Sequence, residues 1–160
     1  MTKNEIQSKR LDALLRHIEN VKANAVLLGE RILENGDVNF AKQLIANSMI
    51  HDNSKFYGIE WEFLHPDIKE TNPAEFELAV RQHTTTNLHH PEAWDTIEDM
   101  PRIYVAEMVC DWSARSKEFG NDLRIWIKDK ATKKFHFTPQ SKTYKTVKEF
   151  VDLLLDPTFK

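Results

Sequence analysis

At 160 residues, 41% of them apolar, the chain is long enough to bury one core and too short for two, so a single domain spanning residues 1–160 is expected. Only four glycines and six prolines punctuate it, which excludes a turn-rich β sandwich and points to an all-α bundle of about six helices. The net charge of −3, the absence of any apolar run of membrane-spanning length and the absence of a cleavable apolar end exclude a membrane partner and lead to the expectation of a cytoplasmic protein.

Leu11, Leu14, Leu15, Ile18, Val21, Ala25, Leu28 and Ile32 recur at three- and four-residue steps and predict an amphipathic helix over about residues 5–33, with His17 at the edge of its stripe. Asn35-Gly36-Asp37 ends that helix, and Asp37 caps a second one over about residues 38–51. On it Phe40, Leu44 and His51 share one face, and Ile45, Met49 and Asp52 the adjacent one. The aromatic stretch 56–72, broken by His65-Pro66, reads as a short helix followed by a loop that can act as a lid. Asn72-Pro73 opens a third long helix with Phe76, Ala79, Val80 and His83 on one face. Thr84-Thr85-Thr86-Asn87 weakens it and Pro91 ends any continuation, which leaves His89 and His90 on a loop.

A further helix is expected over about residues 96–119, with Tyr104, Met108, Trp112 and Arg115 as its stripe and Asp111 beside it. Trp112 reads as core. The lone cysteine, Cys110, has no partner for an internal disulfide and sits among apolar neighbours, so a buried and inert thiol is expected. Gly120-Asn121 closes this helix, and two more follow over about residues 122–134 and 143–155. The segment Asp122 to Lys148 holds eight Lys or Arg against two acids. That run reads as a solvated helix surface, so extended nucleic acid is not an expected partner.

Taken singly, a helix-borne imidazole is more often a hydrogen-bonded core residue than a ligand. His17, His51, Asp52, His83 and Asp111, however, all project from the inward side of separate expected helices, or its margin. Buried carboxylates there call for something positive nearby. Imidazole nitrogens and carboxylate oxygens are donors that a divalent transition metal accepts together, so the set reads as a metal centre with hydrolytic chemistry. There is no Gly-rich phosphate loop, no Gly-x-Ser-x-Gly turn and no Cys-x-x-Cys pair to suggest another chemistry.

His17, His51-Asp52 and Asp111, in that order, resemble the ligand pattern of the HD superfamily of metal-dependent phosphohydrolases, and the chain looks like its short phage and bacterial members. The run His51-Asp52-Asn53-Ser54-Lys55 is similar to the His-Asp-x-x-Lys element of branches that act on cyclic dinucleotides. His83 with His89-His90-Pro91-Glu92 is similar to their additional histidines. The chain departs from those branches in the six-residue separation of His83 and His89 and in lacking a following Gly-Tyr-Pro. The resemblance implies an HD-type bundle in which His17, His51, Asp52 and Asp111 hold one ion of Mn, Fe, Co, Ni or Zn. A second ion would take His83 with His89 or His90, bridged by Asp52. It further implies hydrolysis of a nucleotide or related small phosphate ester by metal-activated water, with Asp52 and Lys55 catalytic. Lys55, three residues after Asp52, and more weakly Arg115, one turn beyond Asp111, are the expected phosphate contacts. Two other uses fit the same cluster: a di-iron oxygenase, and a non-catalytic nucleotide- or metal-binding regulatory module.

Overall fold

The computed structural model describes residues 1–156 and Thr158, and among these there is no β-strand. Helix α1, Lys3–Glu34, opens with a capping box in which the Glu5 backbone N–H donates to Thr2 Oγ1 at 3.2 Å and the Thr2 N–H donates to Glu5 Oε2 at 2.6 Å. Its buried stripe is His17, Val21, Ala25, Leu28 and Ile32. Leu11 and Leu15, at the N-terminal end of the expected stripe, remain partly exposed.

Asp37 caps α2, Val38–Ser48, accepting from the Phe40 N–H at 3.1 Å. This helix stops three residues short of the expected end. His51 and Asp52 therefore lie in the turn that follows, with Asp52 in the left-handed region at φ 56°. After a 3-10 turn, Asn53–Phe56, come α3, Gly58–Phe63, and α4, Pro66–Thr71. The loop expected in the second half of this stretch is instead helical, because Pro66 takes the first helical position, where its missing N–H costs nothing.

Helix α5 spans Pro73–Thr86; Asn72 precedes it but makes no side-chain capping bond. The three threonines do not weaken its end. Their hydroxyls donate to carbonyls four residues back, Thr84 to Val80 at 2.9 Å and Thr85 and Thr86 to Arg81 and Gln82 at 2.7 Å each, so the polar groups are used inside the helix. The 3-10 turns Pro91–Ala93 and Ile97–Asp99 lead to α6, Arg102–Phe119. That helix begins six residues later than expected because Pro101 keeps Met100 extended and Thr96 closes a separate turn with Asp99, its hydroxyl donating to Oδ2 at 2.8 Å.

Gly120 ends α6 at φ 67°, a left-handed position that glycine accepts without a Cβ penalty. The next expected helix is divided into α7, Leu123–Trp126, a π-helical turn, Ile127–Ala131, and α8, Thr132–Lys134. Ser141 caps α9, Lys142–Leu155. The expected long helices are thus recognisable as α1, α2, α5, α6, the α7–α8 segment and α9, with α3 as the expected short helix and α4 in addition.

Helix α1 packs on α2, α6 and α9, and α6 packs in turn on α2 and α9. The core between them is built from Val21, Leu28, Leu44, Val105, Val109, Val147 and Phe150. Trp112 belongs to it, stacked on Phe135 with centroids 5.8 Å apart. Cys110 is fully buried, and burial pushes its thiol well above its usual range, in keeping with an inert group. None of the described helices is long and apolar enough to cross a membrane. The packing of α1, α2 and α6 determines where the polar cluster can form, since these helices carry or adjoin His17, His51-Asp52 and Asp111.

Candidate metal centre

Four segments converge on Asp52. Its Oδ1 lies 3.5 Å from His51 Nε2, 3.4 Å from His83 Nε2 and 3.5 Å from His89 Nε2, while Oδ2 lies 3.6 Å from His17 Nε2 and 2.7 Å from Lys55 Nζ. Asp111, on α6, reaches the same place: Oδ1 is 3.1 Å from His17 Nε2 and 4.0 Å from His51 Nε2, and Oδ2 is 3.7 Å from His89 Nε2. All these residues except Lys55 are buried. His90 is half-buried, its Nε2 3.0 Å from His83 Nε2. Burial first, then His89 and His83 beside it, pushes its pKa down to about 2, so its imidazole is neutral at ordinary pH.

Three buried or part-buried glutamates, which sequence reasoning did not single out as site residues, hold the histidines from behind. Glu118 Oε1 meets His17 Nδ1 at 2.9 Å, Glu60 Oε2 meets His83 Nδ1 at 2.8 Å, and Glu107 Oε1 meets His51 Nδ1 at 3.0 Å and His89 Nδ1 at 3.4 Å. A carboxylate on Nδ1 fixes both the ring orientation and the tautomer, leaving the Nε2 lone pair directed inward. The signal for Glu107 was present in the sequence. It lies one turn before Asp111 on α6, on the same helix face, where a surface glutamate would be out of place. Glu60, in contrast, lies in the aromatic stretch whose helices periodicity did not resolve.

The fit to a cation rests on atoms without hydrogen-bond partners. His17 Nε2, His51 Nε2, His89 Nε2 and both oxygens of Asp52 are buried without a hydrogen bond, Asp52 Oδ2 facing Lys55 Nζ as an ion pair. Imidazole lone pairs turned toward carboxylates at these distances would repel, and Lys55, ion-paired to Asp52, is the ammonium set against the buried carboxylates of Asp52 and Asp111. Burial alone would raise the Asp52 carboxyl, but Lys55, His51 and His83 outweigh it and hold it well below the usual carboxylate range. A divalent cation satisfies the whole set at once. The donors divide into His17, His51 and Asp111, and Asp52, His83, His89 and His90, with the ligating atoms of each set within 4.8 Å of one another.

Among the expected phosphate contacts, Lys55 is at the cluster on Asp52, whereas Arg115 stands behind it, paired with Glu118 Oε2 at 3.1 Å. A cavity of about 180 Å³ opens beside the cluster, floored by His51, Asp52, His89 and Glu107. A second, of about 170 Å³, lies away from it between the α7 segment and α9.

No curated protein and no solved structure matches the chain. The match found is a family model covering residues 7–155, nearly the whole chain and every residue of the cluster, and by it the chain belongs to DUF5662, a family of unknown function.

Proposed function

We propose that this chain is a metal-dependent phosphohydrolase of the HD type, acting on a nucleotide or related small phosphate ester. The observation that carries the reading is the convergence of buried ligand atoms without a hydrogen bond from His17, His51, His89 and Asp52, joined by Asp111, with His17, His51-Asp52 and Asp111 in the order that resembles the HD pattern. His17, His51, Asp52 and Asp111 would hold one ion, and His83, His89 and His90 a second, with Asp52 between them because its carboxylate faces His17 and His51 of one set and His83 and His89 of the other. Bound there, divalent metal supplies Lewis acidity toward phosphate oxygens and makes water a usable nucleophile near neutral pH.

The protein's own groups do the rest. Glu60, Glu107 and Glu118 keep the imidazoles aimed, so little reorganisation accompanies binding. Lys55, its side chain 15% exposed and its Nζ 2.7 Å from Asp52 Oδ2, would bind a non-bridging oxygen of a phosphate seated at the cluster and stabilise charge as the ester bond breaks. Asp52 and Lys55 are therefore the catalytic pair at the reacting phosphate. No side-chain nucleophile is required, in keeping with a buried and protonated Cys110.

The reading is tested by measuring phosphate release from nucleotides and simple phosphate monoesters with manganese, cobalt or nickel supplied. Hydrolysis of at least one ester that depends on added metal and disappears in Asp52→Asn is expected. Metal-loaded protein that releases phosphate from none of them would overturn it.

A further inference from the structure

We infer that the cavity beside the cluster selects a single phosphoryl group joined to an uncharged, ring-bearing group, as in a nucleoside monophosphate, and rejects a polyphosphate chain. This rests on the phosphohydrolase reading above, since it assigns the leaving-group side of that site. The outer wall of the cavity is Ile50, 71% exposed, Leu88, 42% exposed, and Tyr104, whose ring packs on Trp94 at 5.8 Å. Two aliphatic side chains and a phenol ring offer dispersion contact to a flat ring and no positive charge to an anion.

Charge decides the rest. Among the described residues, this cavity is lined by the carboxylates Asp52 and Glu107 and by no Lys or Arg, and its imidazoles, His51 and His89, belong to the cluster on its floor. Lys55 lies on Asp52 at the cluster, so one phosphoryl group can be neutralised there by metal and ammonium. A second or third phosphate extending outward would add negative charge beside Glu107 with no cation to receive it. The amide groups supply the polar element of recognition. Asn47 Nδ2 is buried without a hydrogen-bond partner, a donor left for a ring nitrogen or carbonyl of the ligand. Asn87, in contrast, is committed, its Nδ2 donating to Ser54 Oγ at 3.0 Å and to the His83 carbonyl at 2.9 Å, which fixes the rim.

The test is calorimetric binding to the manganese-loaded chain of three probes that resist turnover: the 5′-methylenephosphonate of adenosine, a methylene-bridged adenosine diphosphate analogue, and inorganic phosphate. The monophosphonate is expected to bind about tenfold or more tightly than the diphosphate analogue, the effect of one uncompensated charge at low effective dielectric. Leu88→Ala and Tyr104→Ala should weaken the monophosphonate and leave inorganic phosphate unchanged. Ile50→Lys, at an exposed position that does not threaten folding, should narrow the gap by raising affinity for the diphosphate analogue. A diphosphate analogue bound as tightly as the monophosphonate, or Leu88→Ala weakening inorganic phosphate equally, would overturn the assignment. The expected order of affinities in a protein that hydrolyses no ester would uphold this pocket while removing the hydrolase reading beneath it.

Discussion

Asp52 serves two structural roles at one residue. Its backbone turns the chain out of α2 in the left-handed region, which costs an ordinary residue roughly 1 to 2 kcal/mol and which Asp and Asn tolerate best. Its carboxylate then lies among four imidazoles and one ammonium. Asp52→Ala confounds the two roles, whereas Asp52→Asn keeps the turn and removes the charge. Lys55 separates differently. On the proposed role of binding phosphate rather than metal, Lys55→Ala should lower turnover by roughly tenfold to a thousandfold, about 1.4 to 4 kcal/mol of transition-state stabilisation, at unchanged metal content. Unaltered kinetics on a hydrolysed ester would return Lys55 to a purely structural partner of Asp52.

The Glu107–His51 contact gives the metal-free protein a pH signature. Burial pushes Glu107 up, but hydrogen bonds from His51 and His89 outweigh it and bring it to about 2 from its usual 4.5. Burial pulls His51 down, but Asp52, Glu107 and Asp111 outweigh that and raise it above its usual 6.5. The depressed Glu107 contributes stability that is fully present above pH 4.5 and lost as pH falls toward 2. The raised His51 contributes stability that is fully present below pH 6.5 and lost as pH rises through its folded value. Thermal unfolding in chelator should therefore show this pair's stabilisation greatest between pH 4.5 and 6.5, with the profile flattened in Glu107→Gln. A wild-type stability that climbs steadily through pH 8 would contradict it.

At the scale of elements, the seam between α1 and α2 sets the separation of His17 from His51 and Asp52. Gly29 permits the approach: a Cβ there would stand 3.0 Å from Ile45 Cδ1 and 3.1 Å from its Cγ1. Gly29→Leu should force the helices apart at a cost on the order of 1 to 3 kcal/mol and weaken metal binding in parallel. Gly29→Ala, which asks only for a shift of a flexible Ile45 end and gains helix propensity, should remain near wild type. A Gly29→Leu protein with full stability and metal affinity would show that the seam is not what positions the cluster.

The elements also show what was legible in the sequence. The stripe on α1 and the glycine ends at Gly36 and Gly120 carry clear signals, and the buried positions of His17, His51, Asp52, His83 and Asp111 agree with their expected inward placement, while His89, expected on a loop, is buried as well. The α2 end was misjudged because His51 and Asp52 keep their inward direction through a left-handed turn rather than by continued helix, which periodicity cannot distinguish. The α6 start was misjudged because apolar residues continue upstream of Pro101, where that proline separates a 3-10 turn from the helix. The glutamates behind the imidazoles were hidden for another reason. Burial of a carboxylate is decided by long-range partners such as Glu118 with His17, 101 residues apart, and no local pattern encodes that.

For the whole molecule, a five-carboxylate, five-histidine cluster at the meeting of α1, α2, α5 and α6 is costly for a 160-residue chain to keep unless a cation compensates it. The fold would then be linked to metal: ligand at about a hundred times its dissociation constant adds roughly 2.7 kcal/mol, and chelation removes it. Elemental analysis of protein reconstituted with manganese, cobalt, nickel or zinc and freed of excess tests this most directly, with Asp52→Asn alongside. One to two tightly held ions per wild-type chain are predicted, with most of that metal lost in a still-helical Asp52→Asn. A wild-type chain that retains none of these metals, or an Asp52→Asn chain that retains all of them, would contradict the account.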